Sequence, residues 1–119
     1  MITLSTVILI VMTHFLADFG LQTHEQATKK SSDERQLMWH VAIYSGVWLF
    51  MSYCLFQNGF LSIIFAVITY ICHYITDYFS SRIGKPYWEK NDFHNGFVII
   101  GADQVLHMIQ LFALYKALS

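Results

Sequence analysis

The chain has 119 residues, a net charge of −1 at neutral pH, 55% hydrophobic residues and only 13% charged residues. Soluble domains carry about 25% charged residues, and a chain this short cannot hide so much apolar surface in a soluble fold. The composition therefore excludes an ordinary soluble domain, and the lack of a basic surplus argues against nucleic-acid binding. We expect one integral membrane domain over residues 1–119.

Four apolar segments are long enough to cross a bilayer, which takes about 20 helical residues. They cover about residues 2–20, 32–56, 60–79 and 95–118, and none contains the only proline, Pro86. The first segment lacks the basic start and the small-residue cleavage site of a signal peptide, so we expect it to remain as a helix. The predicted fold class is all-α, a bundle of four transmembrane helices.

The connections between these segments carry turn and cap signals. Residues 23–36 are polar, and Ser31-x-x-Glu34 matches a capping box at the start of the second helix. A short turn follows the second helix, where Gly59 suits a helix C-terminal cap. Residues 80–94 are predicted to form a second long loop.

The basic residues indicate an orientation. All but Lys116 fall in the first and third connections, which lie on the same side of a four-helix bundle. The positive-inside rule then places both long connections in the cytoplasm and both termini outside. The basic residues in these connections are Lys29, Lys30, Arg35, Arg82, Lys85 and Lys90.

Histidine and aspartate recur in pairs within the apolar segments. Three predicted helices each carry one such pair at a spacing of four residues, which puts both side chains on one helical face. The second helix carries one more histidine. Counting about 1.5 Å of rise per residue, all of these side chains lie in the cytoplasmic half of the bundle. The set is His14, Asp18, His40, His73, Asp77, Asp103 and His107.

An ionisable side chain inside a bilayer costs about 2.5–3.5 kcal/mol on insertion scales, so these residues should face inward and satisfy one another. Imidazole and carboxylate are ligands for divalent metals. We therefore predict that all seven residues ligate one or two ions, zinc first, with iron or manganese as alternatives. The carboxylates of Asp18, Asp77 and Asp103 would ligate, bridge or act as general base toward water activated by the metal. Two other interpretations of these residues are histidines that pack through hydrogen bonds and a proton relay.

Several neighbouring polar residues have weaker assignments. Gln104 points away from Asp103 and could bond across helices. Tyr44 and Tyr70 could donate a hydrogen bond to a bound anion. Lys29, Lys30 and Arg35 satisfy the topology rule and could also hold lipid phosphates.

The ordered motifs resemble those of a known group of proteins. The pattern His14-x-x-x-Asp18, then His40, then His73-x-x-x-Asp77, then Asp103-Gln104-x-x-His107 resembles an uncharacterised family of small four-helix membrane proteins from bacteria and their phages. The resemblance covers essentially the whole chain. It implies the bacterial inner membrane and a shared polar site, but no demonstrated activity. More loosely, the chain is similar to membrane-bound metal-dependent hydrolases.

Three functions remain open on the sequence alone. The first is a membrane-embedded metal-dependent hydrolase acting on a lipid or lipid-linked substrate from the cytoplasmic leaflet. The second is a proton, ion or metal pathway in a homo-oligomer. The third is a structural or regulatory membrane protein whose metal staples its helices. In each case membrane lipids are the expected partners.

Overall fold

A computed structural model describes all 119 residues, and the chain is helical throughout, without strands. The all-α class is confirmed, although the fold has five α-helices and a π-helical segment where four helices were predicted. In chain order the elements are α1 (Leu4–Phe15), the π segment (Leu16–Gly20), α2 (His24–Lys29), α3 (Glu34–Phe56), α4 (Gly59–Glu89) and α5 (Phe93–Leu118).

Three helices, α3, α4 and α5, are long and apolar enough to cross a membrane. The first apolar stretch, Leu4–Gly20, is shorter. Large apolar side chains point outward along the long helices; Phe50, Phe97 and Ile109 are 67%, 64% and 60% exposed. This outward apolar surface is what a lipid-facing bundle requires, because no other part of the chain covers it.

The first predicted helix changes its winding before it ends. The α-helical part stops at Phe15, and the N–H of Leu21 donates to the carbonyl of Leu16 at 2.9 Å, one residue further back than in an α-helix. The prediction of one α-helix to Gly20 is therefore wrong over its last turn. Asp18 lies inside this π turn and is buried. Single π turns are frequent at functional sites.

The polar connection after this segment contains a short helix that was not predicted. Its capping box is formed by Thr23 and Gln26, whose side chains each accept the other's backbone N–H. The capping box predicted at Ser31 is wrong, because α3 is capped by Asp33, whose carboxylate accepts the N–H of Arg35. The short helix α2 lies against α3 and carries the connection back over the bundle.

The turn between α3 and α4 is built differently from the prediction. Gln57 ends α3 in the left-handed conformation at φ 51°, so the cap assigned to Gly59 is wrong. Gly59 instead begins α4, and the Asn58 side chain accepts the N–H of Leu61.

Helix α4 runs ten residues past its predicted end at residue 79. Its 31 residues measure about 46 Å, more than the roughly 30 Å hydrocarbon core of a bilayer. The predicted loop over residues 80–94 is therefore wrong for most of its length. Pro86 is accommodated in the last turns, where the missing N–H frees only one intrahelical carbonyl. The polar residues after position 79 mark a change in composition along α4, and the helix itself continues to Glu89.

An apolar layer closes one side of the bundle. Ile10, Trp48, Phe65 and Leu111 are fully buried and come from α1, α3, α4 and α5. Each stands one or two helical turns along its own helix from a histidine of the predicted set. This layer therefore lies directly next to the level at which the histidines and aspartates meet.

Candidate metal centre

The structure brings all seven predicted side chains into one buried cluster. They project from α1, the π segment, α3, α4 and α5, and none is more than 6% exposed. The shared helical faces of the three pairs account for this meeting, because each face turns toward the bundle axis. Whether each residue ligates a metal remains a prediction.

Four of these residues form what we call the inner group: Asp18, His40, His73 and Asp77. The Nε2 atom of His40 lies 3.0 Å from Asp18 Oδ1 and 3.2 Å from Asp77 Oδ2. The Nε2 atom of His73 lies 3.5 Å and 3.3 Å from the same two oxygens. The two Nε2 atoms are 3.2 Å apart.

These five distances are close to five of the six edges of a tetrahedral metal site, and the two carboxylate oxygens lie within 4.8 Å of each other. Ligand atoms placed about 2.0–2.1 Å from a tetrahedral zinc ion are separated by about 3.3–3.4 Å. The inner group presents two imidazole nitrogens and two carboxylate oxygens at separations of 3.0–3.5 Å. A cation at their centre would contact all four atoms at once. The inner group could therefore hold a metal ion, although its identity is not fixed by the geometry.

A second convergence, the outer group, consists of Asp18, Asp103 and His107. The Nε2 atom of His107 is 3.0 Å from Asp103 Oδ2. The amide nitrogen of Gln104 donates to Asp18 Oδ2 at 2.9 Å and to Asp103 Oδ2 at 3.1 Å. The hydroxyl of Ser80 donates to the remaining oxygen of Asp103 at 2.5 Å.

His14 lies at the edge of the cluster, outside both groups. Its Nε2 donates to the side-chain oxygen of Gln104 at 2.6 Å, so its Nδ1 accepts from the hydroxyl of Tyr44 at 2.7 Å. Both ring nitrogens are thus engaged, and Nε2 is 3.7 Å from Asp18 Oδ2. This geometry fits a residue that positions Gln104 better than a direct ligand. The predicted cross-helix bond of Gln104 is present.

Aromatic stacking fixes the imidazole planes. The ring of His73 is stacked between Tyr44, at a centroid distance of 3.8 Å, and His107, at 4.0 Å. Its Nδ1 atom is buried without a hydrogen-bond partner. The ring is therefore held by stacking and by the contacts of its Nε2 atom within the inner group.

Lys30 is a site residue that the sequence did not reveal. Its ammonium donates to Asp77 Oδ2 at 3.3 Å and to the side-chain oxygen of Gln22 at 3.4 Å. Burial lowers the pKa of Lys30, but the carboxylates of Asp77, Asp18 and Asp103 outweigh it and raise the pKa above its ordinary value. Lys30 therefore stays cationic and offsets one carboxylate. Nothing in its local sequence distinguishes Lys30 from a lysine that only satisfies the positive-inside rule.

A pocket of about 520 Å³ leads from the connections to the outer group. Asp18, Asp103 and Gln104 lie at its cluster end. Its polar wall includes Lys30, Lys85, Ser80 and Ser81, and its apolar wall includes Phe19, Trp88, Ile99 and Ile100. Trp88 is fixed by Gly96, where an added Cβ would come within 2.8 Å of the indole ring. Ser80, Ser81 and Trp88 were all assigned to a loop, and their helical face could be recognised only if α4 were extended past residue 79.

The fold and the cluster define a small helical protein with membrane-length helices and a buried histidine/aspartate site. Residues 6–119 match the family described as "Protein of unknown function (DUF3307)". The chain belongs to this family, which confirms the predicted resemblance to an uncharacterised family. No curated protein and no solved structure matches the chain.

Proposed function

We propose that this protein is an integral membrane, metal-dependent hydrolase that acts on a lipid or lipid-linked substrate from the cytoplasmic leaflet. The observation that carries the proposal is the inner group, whose four donor atoms have the spacing of a tetrahedral site and lie beside an accessible pocket.

The proposed membrane arrangement uses four helical segments. The segment Leu4–Gly20 measures about 26 Å and would cross with α3, α4 and α5. The basic residues cluster at the connection before α3 and at the protruding end of α4, which supports a cytoplasmic location for that side. We propose the bacterial inner membrane, with both termini outside and the polar cluster in the cytoplasmic half.

In the proposed chemistry, a bound divalent ion supplies Lewis-acid activation of water and of the scissile group. Zinc suits the mixed imidazole and carboxylate set, and iron or manganese are alternatives. The side chains of His40, His73, Asp18 and Asp77 would hold the ion. Asp103 lies in the pocket and is available to accept a proton from water.

The proposed substrate follows from the pocket walls. Lys30 and Lys85 line the pocket with Ser80 and Ser81, and Lys85 pairs with Glu89 of the same wall at 3.8 Å. A polar head group could bind here by exchanging these contacts. Trp88, Ile99 and Phe19 suit an adjoining acyl or prenyl chain. An amphiphile drawn from the membrane surface would place its polar end against the outer group.

The alternative of a transmembrane pathway has weaker support. A pathway needs polar groups on both sides of the cluster, whereas the side away from the pocket is filled by Ile10, Trp48, Phe65 and Leu111. This apolar layer favours a site that is approached from one side. The pathway proposal would also require a homo-oligomer, because one chain leaves no second opening.

The test uses purified protein reconstituted in phosphatidylglycerol vesicles and loaded with zinc, iron or manganese. A panel of a lipid phosphate, a lipid diphosphate and a diacyl phospholipid is followed by mass spectrometry. We expect product formation that requires metal and is lost in His73→Ala. Asp33→Asn, at a half-buried helix cap outside the cluster, is the matched control, since asparagine caps a helix as well as aspartate.

Three results would overturn the hydrolase proposal. Product formation that survives chelation or His73→Ala would place the chemistry elsewhere. Ion flux into the vesicles that is lost in Asp77→Asn would favour the pathway. A bound metal whose removal lowers only the melting temperature, with no product from any lipid, would favour a helix-stapling role.

A further inference from the structure

The two central carboxylates each divide their oxygens between the two groups. Asp18 directs Oδ1 to His40 at 3.0 Å, while its Oδ2 accepts from Gln104 on the outer side. Asp77 directs Oδ2 to His40 at 3.2 Å, while its Oδ1 lies 3.0 Å from His107 Nε2. Carboxylates that share two neighbouring cation sites have this arrangement.

We infer that the cluster is a two-ion centre in which Asp18, the one residue common to both groups, bridges two divalent ions about 3.5–4 Å apart. The first ion occupies the inner group. The second is held by Asp103, His107 and the second oxygen of Asp18, and Asp77 Oδ1 lies beside it against His107. The inference deepens the proposed function and rests on the same metal centre.

The two positions differ in access. His40, His73 and Asp77 are at most 1% exposed and take no part in the pocket wall, so the first ion would be enclosed by protein ligands. Asp103 lines the pocket, so the second ion would keep an open side. Metal ions that act on substrates keep an open coordination position, whereas fully ligated ions are structural. The second ion is therefore the one that meets the substrate.

The charge of the site supports an anionic substrate. With the imidazoles neutral, as metal binding requires, three carboxylates and the Lys30 ammonium leave a net charge of −2. One divalent ion neutralises the site, and a second leaves it at +2. An anionic group such as a phosphate ester would offset that charge. The second ion should accordingly bind more weakly than the first.

Gln104 occupies the space that the second ion needs. Its amide nitrogen spans Asp18 Oδ2 and Asp103 Oδ2, as a small cation between two carboxylates would. Because Gln104 also lines the pocket, its side chain has room to turn outward. Binding of the second ion would replace the two hydrogen bonds from the Gln104 amide nitrogen to the carboxylates, and turning the side chain would also release its 2.6 Å bond with His14.

The test counts manganese ions in the full-length protein in detergent. Purified protein is loaded with Mn²⁺, desalted and analysed for metal content, and low-temperature EPR reports whether the ions are coupled. We expect two coupled ions in the wild type and in the control Asp33→Asn. We expect one isolated ion in Asp103→Asn, which leaves every inner-group ligand in place. His107→Gln is the second outer-group variant and should give the same result.

The wild-type measurement alone decides the ion count, whatever the variants do to folding. One ion in the wild type overturns the two-ion centre and leaves a single-metal hydrolase intact. Two uncoupled ions overturn the carboxylate bridge. No bound manganese, zinc or iron overturns both this inference and the proposed function.

Discussion

Asp77 is the side chain through which most of the cluster is connected. Its carboxylate contacts His107 at 3.0 Å, His40 at 3.2 Å and Lys30 at 3.3 Å, and it is fully buried. Asp77→Asn keeps the size and shape of the side chain but removes its charge. Loss of a group that only supports a ligand weakens metal binding 10–100-fold. Loss of a charged ligand should therefore weaken zinc binding at least 100-fold, about 2.8 kcal/mol.

The assay is competition with a chromogenic zinc chelator in detergent, beside circular dichroism to confirm helix content. Asp33→Asn, at a helix cap outside the cluster, is the matched control and should bind zinc like the wild type. The metal-free variant should also melt earlier, because removing one partner of a buried charge pair costs about 3–5 kcal/mol. Zinc affinity within threefold of wild type in a folded Asp77→Asn protein would refute the inner group as the metal site.

Four further outcomes follow from the same contacts. Gly96→Ala places a Cβ 2.8 Å from the Trp88 indole and should lower the free energy of unfolding by about 1–3 kcal/mol, whereas Gly101→Ala meets nothing within 4 Å and should not lower the melting temperature. Lys30→Met removes a cation 3.3 Å from Asp77 and should tighten zinc binding at least tenfold in the chelator assay; unchanged affinity would contradict a shared site. Zinc affinity should fall as the pH is lowered, because protons compete with the metal for the ligand atoms of the inner group. Zinc affinity of Lys30→Met should depend on pH in the same way as that of the wild type. The pKa of Lys30 is raised, so its ammonium stays charged and keeps its ion-pair contribution to stability until the pH rises above the ordinary value of 10.5. Chelation should lower the melting temperature, since metal at about 1,000 times its Kd adds about 4.1 kcal/mol to the native state.

The convergence of the polar cluster could be predicted because it depends on helical periodicity alone. Each pair at a spacing of four residues shares a face, and a charged face inside an apolar segment has only the bundle axis to turn to. His73 and Asp77 on α4 and Asp103 and His107 on α5 meet for this reason. The long helices could likewise be predicted, because the apolar segments are long enough to cross a bilayer.

The features that the sequence did not reveal depend on tertiary contacts or on helix winding. The π turn carrying Asp18 has no local signal, because π and α turns share the same residue preferences at this length. The extension of α4 was missed because polar residues after Phe79 were taken as a loop, although Ser80 and Trp88 continue the buried face of Asp77. Lys30 reaches the cluster only because α2 folds back over the bundle.

The two ends of the cluster explain why a reaction centre fits this bundle better than a conduit. On one side Trp48 and Phe65 pack against each other at a centroid distance of 5.5 Å, and both are fully buried. The buried polar groups on this side are the hydroxyls of Ser45, Ser52, Ser62 and Thr69 and the indole N–H of Trp48, and no histidine or carboxylate accompanies them. On the other side Asp103 opens to a pocket with lysines and an apolar wall. A cluster closed on one side and open on the other is accessible from one side only, which agrees with the proposed reaction centre better than with a pathway through the bundle.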